Sequence, residues 1–283
     1  MNKKIYLWFI VFLSLEGLFP IFTYFALENI STLWLVAFSV TISFFFGLII
    51  LFKEKLYKQF KKKELYFPVF MASLFMWIWW ILYFFWIKYS SPSIAAIFLL
   101  LQSLFAFIAF NLIWKENYNY KQIIWAILMF LWWVIILYNG ESFINLWALI
   151  MIIACISWTI WNFFTKKASL KWANPFFILI NRNFLMAIII SILAYIFIWE
   201  PDIDLIKQNF IWIFLIWFLI FFLSKVIWIS ILSKVNWFIA ISTFPLIPLF
   251  VMIFSYFILW QIPTTQQIIW FIPIFIGSYM LIK

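Results

Sequence analysis

Histidine is absent from this 283-residue chain, and cysteine occurs once, at Cys155. Without a His/Cys cluster there is no ordinary zinc or iron site, and without histidine no imidazole base or proton shuttle. A lone cysteine also excludes an internal disulfide. Charge is scarce as well: Asp, Glu, Lys and Arg make up 10% of residues, where a soluble domain carries about 25%. That is too little polar surface to keep a globule of this size in water, so the solvent must be lipid. What fills the chain instead is apolar, 69% of residues, with a mean hydropathy of +1.14. These residues lie in runs of about 20, the length a helix needs to span hydrocarbon about 30 Å thick. The short alternating segments of barrel strands are not seen. The class is therefore all-α and polytopic, with the lipid bilayer as an obligatory partner.

The opening Met1-Asn2-Lys3-Lys4, followed by apolar residues, has the look of a secretory signal. The run is long and lacks a small-residue cleavage site, so a retained first helix is expected. Ten transmembrane helices are expected, at about 5–27, 31–52, 66–88, 91–114, 120–138, 143–165, 174–199, 208–232, 236–260 and 265–282. The connections alternate in charge. Fifteen lysines fall on one side: Lys3, Lys4, six in 53–64 (KEKLYKQFKKKE), Lys115, Lys121, Lys166, Lys167, Lys171, Lys234 and Lys283. The other side holds Glu28, Lys88, Glu141 and the 200–207 link with Glu200, Asp202, Asp204 and Lys207. Positive charge marks the cytoplasmic face, which places both termini there, in a cell inner membrane. The same asymmetry accounts for the net charge of +10. The 53–64 run reads as a topology determinant near anionic lipid rather than a nucleic-acid site.

The chain is also duplicated. Gln122-Ile123-Ile124-Trp125 recurs as Gln267-Ile268-Ile269-Trp270, and an offset of 144 overlays the first two helices on the sixth and seventh. This divides the chain into a first five-helix repeat, 1–140, and a second, 141–283. Five is odd, so the second repeat enters from the opposite face. Such inverted repeats are the architecture of alternating-access carriers, with the site near the midplane between halves.

Several segments carry a family resemblance. Helix 4 into helix 5 reads SPSIAAIFLLLQSLF…LIWKENYNYKQIIWAILMFLW, and helix 9 into helix 10 reads IAISTFPLIPLF…LWQIPTTQQIIWFIPIFIG, with Pro248-Leu249-Phe250. Helix 6 carries Ser157-Trp158-Thr159-Ile160-Trp161-Asn162, and Arg182 lies early in helix 7. Over nearly its whole length the chain resembles the drug/metabolite transporter superfamily, in its ten-helix EamA-type branch. It departs from the pattern at Ser103, where that family has proline, and at Gln261, where it has glutamate. The resemblance implies a carrier of small metabolites, often amino acids or related compounds.

Glycine is the remaining scarcity. Transporter helices use it freely for close packing, yet this chain has 4 Gly and 21 Trp. At the repeat offsets Trp132 stands opposite Gly277, and Trp161 opposite Gly17. Trp125, Trp132, Trp161, Trp260 and Trp270 fall where the resemblance expects glycine. Two readings stay open: UGA codons meaning glycine in the source cell, or a tryptophan-rich protein.

Charge within a span costs at least about 2.5–3.5 kcal/mol at a helix centre and therefore calls for a partner, a wet cavity or a function. Glu16, midway along helix 1 and beside Gly17 and Pro20, is expected to bind a proton or a cationic group. It could instead form half of a structural pair. Arg182 could clamp a carboxylate or phosphate, or steady helix ends. Lys225 is expected to snorkel to the cytoplasmic surface. Gln102, Asn111 and Asn162 could line a cavity or bond neighbouring helices, and Tyr83 is a further lining candidate. The expected substrate- or proton-binding set is Glu16, Tyr83, Gln102, Asn162 and Arg182.

No P-loop and no nucleophile–base set is present, so ATP-driven transport within this chain and catalysis are not expected, nor is any cofactor. The expected function is secondary transport of a small metabolite, an amino acid or a related compound, by alternating access. A proton or another ion is the coupling partner, and the oligomeric state is left open. Alternatives from other classes are import of a cationic or nucleotide-like metabolite (choline, polyamine, vitamin), a membrane scaffold and a membrane-embedded enzyme.

Overall fold

The computed structural model describes residues 3–89, 146–235 and 243–265, together with positions 102, 105, 108, 120, 124, 127, 128, 240, 268, 269, 271, 272 and 276. Among the described residues all regular structure is helical. The long helices are α1 (Lys3–Leu27), α2 (Thr32–Lys53), α3 (Tyr66–Tyr89), α4 (Leu146–Leu170) and α5 (Pro175–Ile198). A short α6 (Ile203–Gln208) follows, then α7 (Phe210–Lys234) and α8 (Ile247–Leu259). Helices thus stand at the expected first, second, third, sixth, seventh and eighth positions, and among the described residues all of these but α4 are long and apolar enough to cross a membrane. Those at 91–114, 120–138 and 265–282 lie largely outside the described residues.

Local chemistry sets the boundaries. Ser31 caps α2 by accepting from the Trp34 amide at 3.4 Å, and Asn174 caps α5 by accepting from Phe176 at 2.9 Å, just before Pro175. Proline suits that first helical position because its missing N–H would have no partner there. Three boundaries differ from expectation. Helix α4 runs on to Leu170 because Lys166 and Lys167 are good helix formers that complement the negative helix end. The 200–207 link contains α6, nucleated where Asp202 accepts from the amides of Asp204 and Leu205. The ninth span is not one helix from 236 to 260: a 3₁₀ turn at Phe244–Leu246 interrupts it before α8. Pro245 and Pro248 each lack the amide N–H that a continuous ladder would need there.

Helix α3 packs along α4, α2 along α5, and α1 along α8, while α3 also meets α5. Helix α7 packs on both α1 and α2, and its last turns reach α4. Two glycines allow close approach. A Cβ on Gly47 would lie 2.8 Å from Ile180 Cγ1, and one on Gly17 would lie 2.6 Å from Phe250 Cβ.

One end of the bundle gathers the basic connections. The 53–64 segment, folded into short 3₁₀ turns, docks on the α4–α5 link: Gln59 accepts from the Asn174 amide at 3.0 Å, and Lys171 donates to the Glu64 carbonyl at 3.1 Å. Lys4 and Lys234 both lie over the Trp8 ring at this end. At the other end Asn29 donates to Asn209 at 3.4 Å, which joins the α1–α2 and α6–α7 links. Helices α3 and α4, of 24 and 25 residues, are each about 36 Å long, so Tyr89 and Leu146 both lie at this second end. The lysine-rich and lysine-poor sides read from the sequence are two physical ends of one bundle. Between them the outward face is apolar, with Ile10, Phe45, Ile49, Ile192, Ile196 and Phe257 all exposed, as a lipid-facing surface requires.

Candidate functional site

Helix α1 is weakened where its charge sits. Pro20 has no amide hydrogen to return to the carbonyl of Glu16, four residues earlier, so the helix loses that rung. Gly17 lets Phe250 of α8 close against the same turn. Helix α7 is irregular at the matching place: Ile216–Ser224 is wound as a π-helix, a wider coil that recurs at functional sites. This stretch ends on Ser224 and Lys225, and both side chains turn to Glu16. The Lys225 ammonium lies 2.6 Å from Glu16 Oε1, and the Ser224 hydroxyl donates to the same oxygen. All three side chains are buried.

Two indoles complete the ammonium's surroundings. Lys225 Nζ lies 5.2 Å from the Trp80 ring and 5.8 Å from the Trp79 ring, both within cation–π range. Tyr83 stacks on Trp79 at 5.0 Å, and its buried hydroxyl has no hydrogen-bond partner among the described residues. Arg182 enters from α5. Its Nε and Nη2 donate to Asn183 Oδ1 at 3.0 and 2.7 Å, and Nη2 also donates to the Phe221 carbonyl of the π segment at 2.8 Å. Asn183 in turn donates to Ser43 of α2 at 2.8 Å. Arg182 Nη1 has no acceptor among the described residues. Tyr83 joins the Glu16–Lys225 pair through its stack on Trp79, and Arg182 joins it through Phe221, whose ring stacks on Trp80 at 4.2 Å, so the four groups form one centre. Among the described residues the buried charges are Glu16, Arg182 and Lys225, two cations to one carboxylate.

Buried charge within a span is expected to serve a function, and the comparisons with known proteins indicate its class. The model of the EamA-like transporter family matches residues 3–138 and again 145–283. The chain belongs to the EamA-like transporter family. It is accordingly a multi-pass membrane transporter of small molecules. No curated protein matches its sequence. A crystal structure described only as that of a protein is similar, with a TM-score of 0.73 and 12% identity over 99% of this chain and 96% of that one. At such identity the likeness extends to the fold alone.

Within this EamA-like transporter, three of the residues singled out from the sequence, Glu16, Tyr83 and Arg182, come together in the centre. Asn162 stands apart from them. It accepts from the Trp228 indole at 2.7 Å and donates to the Trp158 carbonyl at 2.9 Å, so both ends of its amide are used within the protein. Around it Phe12, Trp158, Trp228 and Phe244 pack ring to ring, with Phe12 on Trp228 at 4.8 Å and Trp158 on Phe244 at 4.6 Å. Gln102 is buried, and its Nε2 has no partner among the described residues. Asn111 lies outside them.

Lys225 overturns its expectation. Its side chain is 3% exposed and turns inward to Glu16 rather than out to the surface. The physical reason is that a carboxylate in hydrocarbon binds a nearby ammonium more strongly than the chain can gain by snorkelling. Ser224 was also missed. One sequence signal pointed to the pair: the spans contain a single carboxylate and only two cations that could neutralise it.

Proposed function

We propose that this EamA-like transporter is a secondary carrier of a small metabolite that bears a carboxylate, an amino acid or a related compound. The observation that carries this is the second cation. Glu16 neutralises Lys225, while buried Arg182 Nη1 has no acceptor among the described residues. A carboxylate of the substrate would satisfy that donor and offset the second cation, and the planar guanidinium suits a carboxylate. Glu16 is then the group that exchanges a coupling proton or meets a substrate amine, with Tyr83 lining the path. The aromatic wall of Trp79 and Trp80 favours a second reading, a cationic cargo that displaces Lys225 from the rings.

Alternating access is proposed between inverted five-helix repeats, 1–140 and 141–283, in ten spans. Exchanging α1 with α4, α2 with α5 and α3 with α7 maps the α3–α4 contact onto α7–α1. It also maps α3–α5 onto α7–α2, and leaves α2–α5 unchanged. All of these contacts occur, which supports a pseudo-twofold relation. Tyr89 and Leu146 lie at one face, and the sequence between them offers two apolar runs of span length, 91–114 and 120–138. Cysteines placed in 53–64 and beside Asp202 should be labelled from opposite sides of an inner membrane, the first from the cytoplasm. Labelling from one side would remove the inverted topology.

The substrate test is protection from thermal unfolding, followed by flux into liposomes without nucleotide. Amino acids should protect and move down a substrate or proton gradient, and Arg182→Leu should lose both effects. Protection by choline or polyamines alone would select the cationic cargo. Flux that requires ATP inside sealed vesicles would end the secondary-carrier reading.

A further inference from the structure

Among the described residues, four other than glycine have left-handed backbone, Lys55, Trp172, Trp199 and Trp260, with φ of 53°, 62°, 65° and 55°. Tryptophan fills 21 of 283 positions yet holds three of these four. For a bulky L residue such a φ is an outlier, because Cβ crowds the neighbouring carbonyl, whereas glycine adopts it freely.

Each of the three ends a helix in a pattern built for glycine. At α4 the Ala173 amide returns to the Ala168 carbonyl at 3.2 Å, and Trp172 to Ser169 at 3.0 Å. This is the paired bonding of a Schellman motif, in which the left-handed position, here Trp172, is most often glycine. At α5 the Trp199 amide bonds the Tyr195 carbonyl at 3.1 Å, the single-bond version of the same stop. Its φ and ψ of 65° and −92° lie close to the rare, strained γ-turn. Trp260 ends α8 at φ 55° and ψ 25°, with its own amide and that of Gln261 turned back to Ser255.

The side chains gain little in return, being 85%, 63% and 81% exposed at Trp172, Trp199 and Trp260. A membrane interface attracts tryptophan to helix ends, but it gives no reason for left-handed backbone there. Elsewhere the indole nitrogens of Trp34, Trp77 and Trp161 are buried with no acceptor among the described residues, whereas a buried indole N–H usually finds one. Trp161 also stands opposite Gly17 in the repeat.

We infer that positions 172, 199 and 260 are glycine in the cell that encodes this protein, through UGA codons read there as glycine rather than tryptophan. UGA is one base from the glycine codon GGA and one from the tryptophan codon UGG, so either reassignment needs little change in the decoding tRNA. Repeat symmetry extends the inference to position 161.

Two measurements decide it. The gene should carry UGA at 172, 199 and 260, and peptides of the protein from its own cells should have the mass of glycine there. UGG codons or tryptophan masses at these positions would overturn the inference. In protein produced with tryptophan at these sites, Trp172→Gly, Trp199→Gly and Trp260→Gly should each raise the melting temperature by a few degrees, and more than the alanine variants do. Trp212→Gly, on right-handed helical backbone, should lower it. Equal effects of glycine and alanine at all three positions would remove the backbone argument.

Discussion

Two interfaces of this bundle join its halves through polar groups, by opposite means. Between α2 and α5 the groups are uncharged and close-packed: Gly47 admits Ile180, and Ser43 accepts from Asn183. Between α1 and α7 an ionisable pair, Glu16 and Lys225, makes the contact, and each helix is irregular there, through Pro20 on one side and the π stretch on the other. A neutral, tightly packed seam has one good arrangement, since separating it only opens voids. A charged seam has several, because protonation of Glu16 or arrival of a counter-charge alters how strongly its helices attract. We read the α2–α5 seam as a fixed frame and the α1–α7 seam as the part that responds to cargo.

The largest test of this contrast removes Lys225. Lys225→Met should strand the buried Glu16 carboxylate and cost about 3–5 kcal/mol of stability, together with flux. Glu16→Gln combined with Lys225→Met should recover most of that stability but no coupled transport. Glu16→Gln alone should abolish coupled flux while the protein still folds and inserts; normal flux in a destabilised variant would make the pair purely structural. A smaller effect is expected at the frame. Gly47→Ala pushes a methyl against Ile180 and should cost about 1–3 kcal/mol, with substrate protection unchanged. If Gly47→Ala weakens substrate protection as strongly as Glu16→Gln does, the distinction between frame and responsive seam fails.

Much of the architecture was legible before any coordinates, because hydrocarbon thickness fixes helix length and lysine placement fixes sidedness. The interruption at Phe244–Leu246 was not, since Pro245 and Pro248 sit in an apolar run that reads as one span. Glu16 and Arg182 stood out because charge in lipid is rare. How they pair did not, because these helices are apolar on nearly every side and offer no polar stripe to indicate facing. Glu16 and Lys225 are 209 residues apart, and only the assembled bundle brings them into contact. The same limit applied to Asn162, whose role follows from Trp228 on a different helix.

The π segment of α7 holds one further consequence, which concerns register. A π turn amounts to an α-helix carrying an extra residue, so Ile216–Ser224 stores slack. Releasing one residue of that slack turns everything beyond it by about 100° and shifts it by about 1.5 Å along the axis. Lys225 is the first residue past the segment, so such a step would carry its ammonium off the Glu16 carboxylate without bending either helix. A one-residue deletion within Ile216–Ser224 should lock the tighter winding, and the energetic coupling between Glu16 and Lys225 in a double-mutant cycle should then vanish. Persistence of that coupling would mean that the slack plays no part in making or breaking the pair. If instead the coupling vanishes, cargo release is a screw motion of half a helix rather than the parting of two rigid halves.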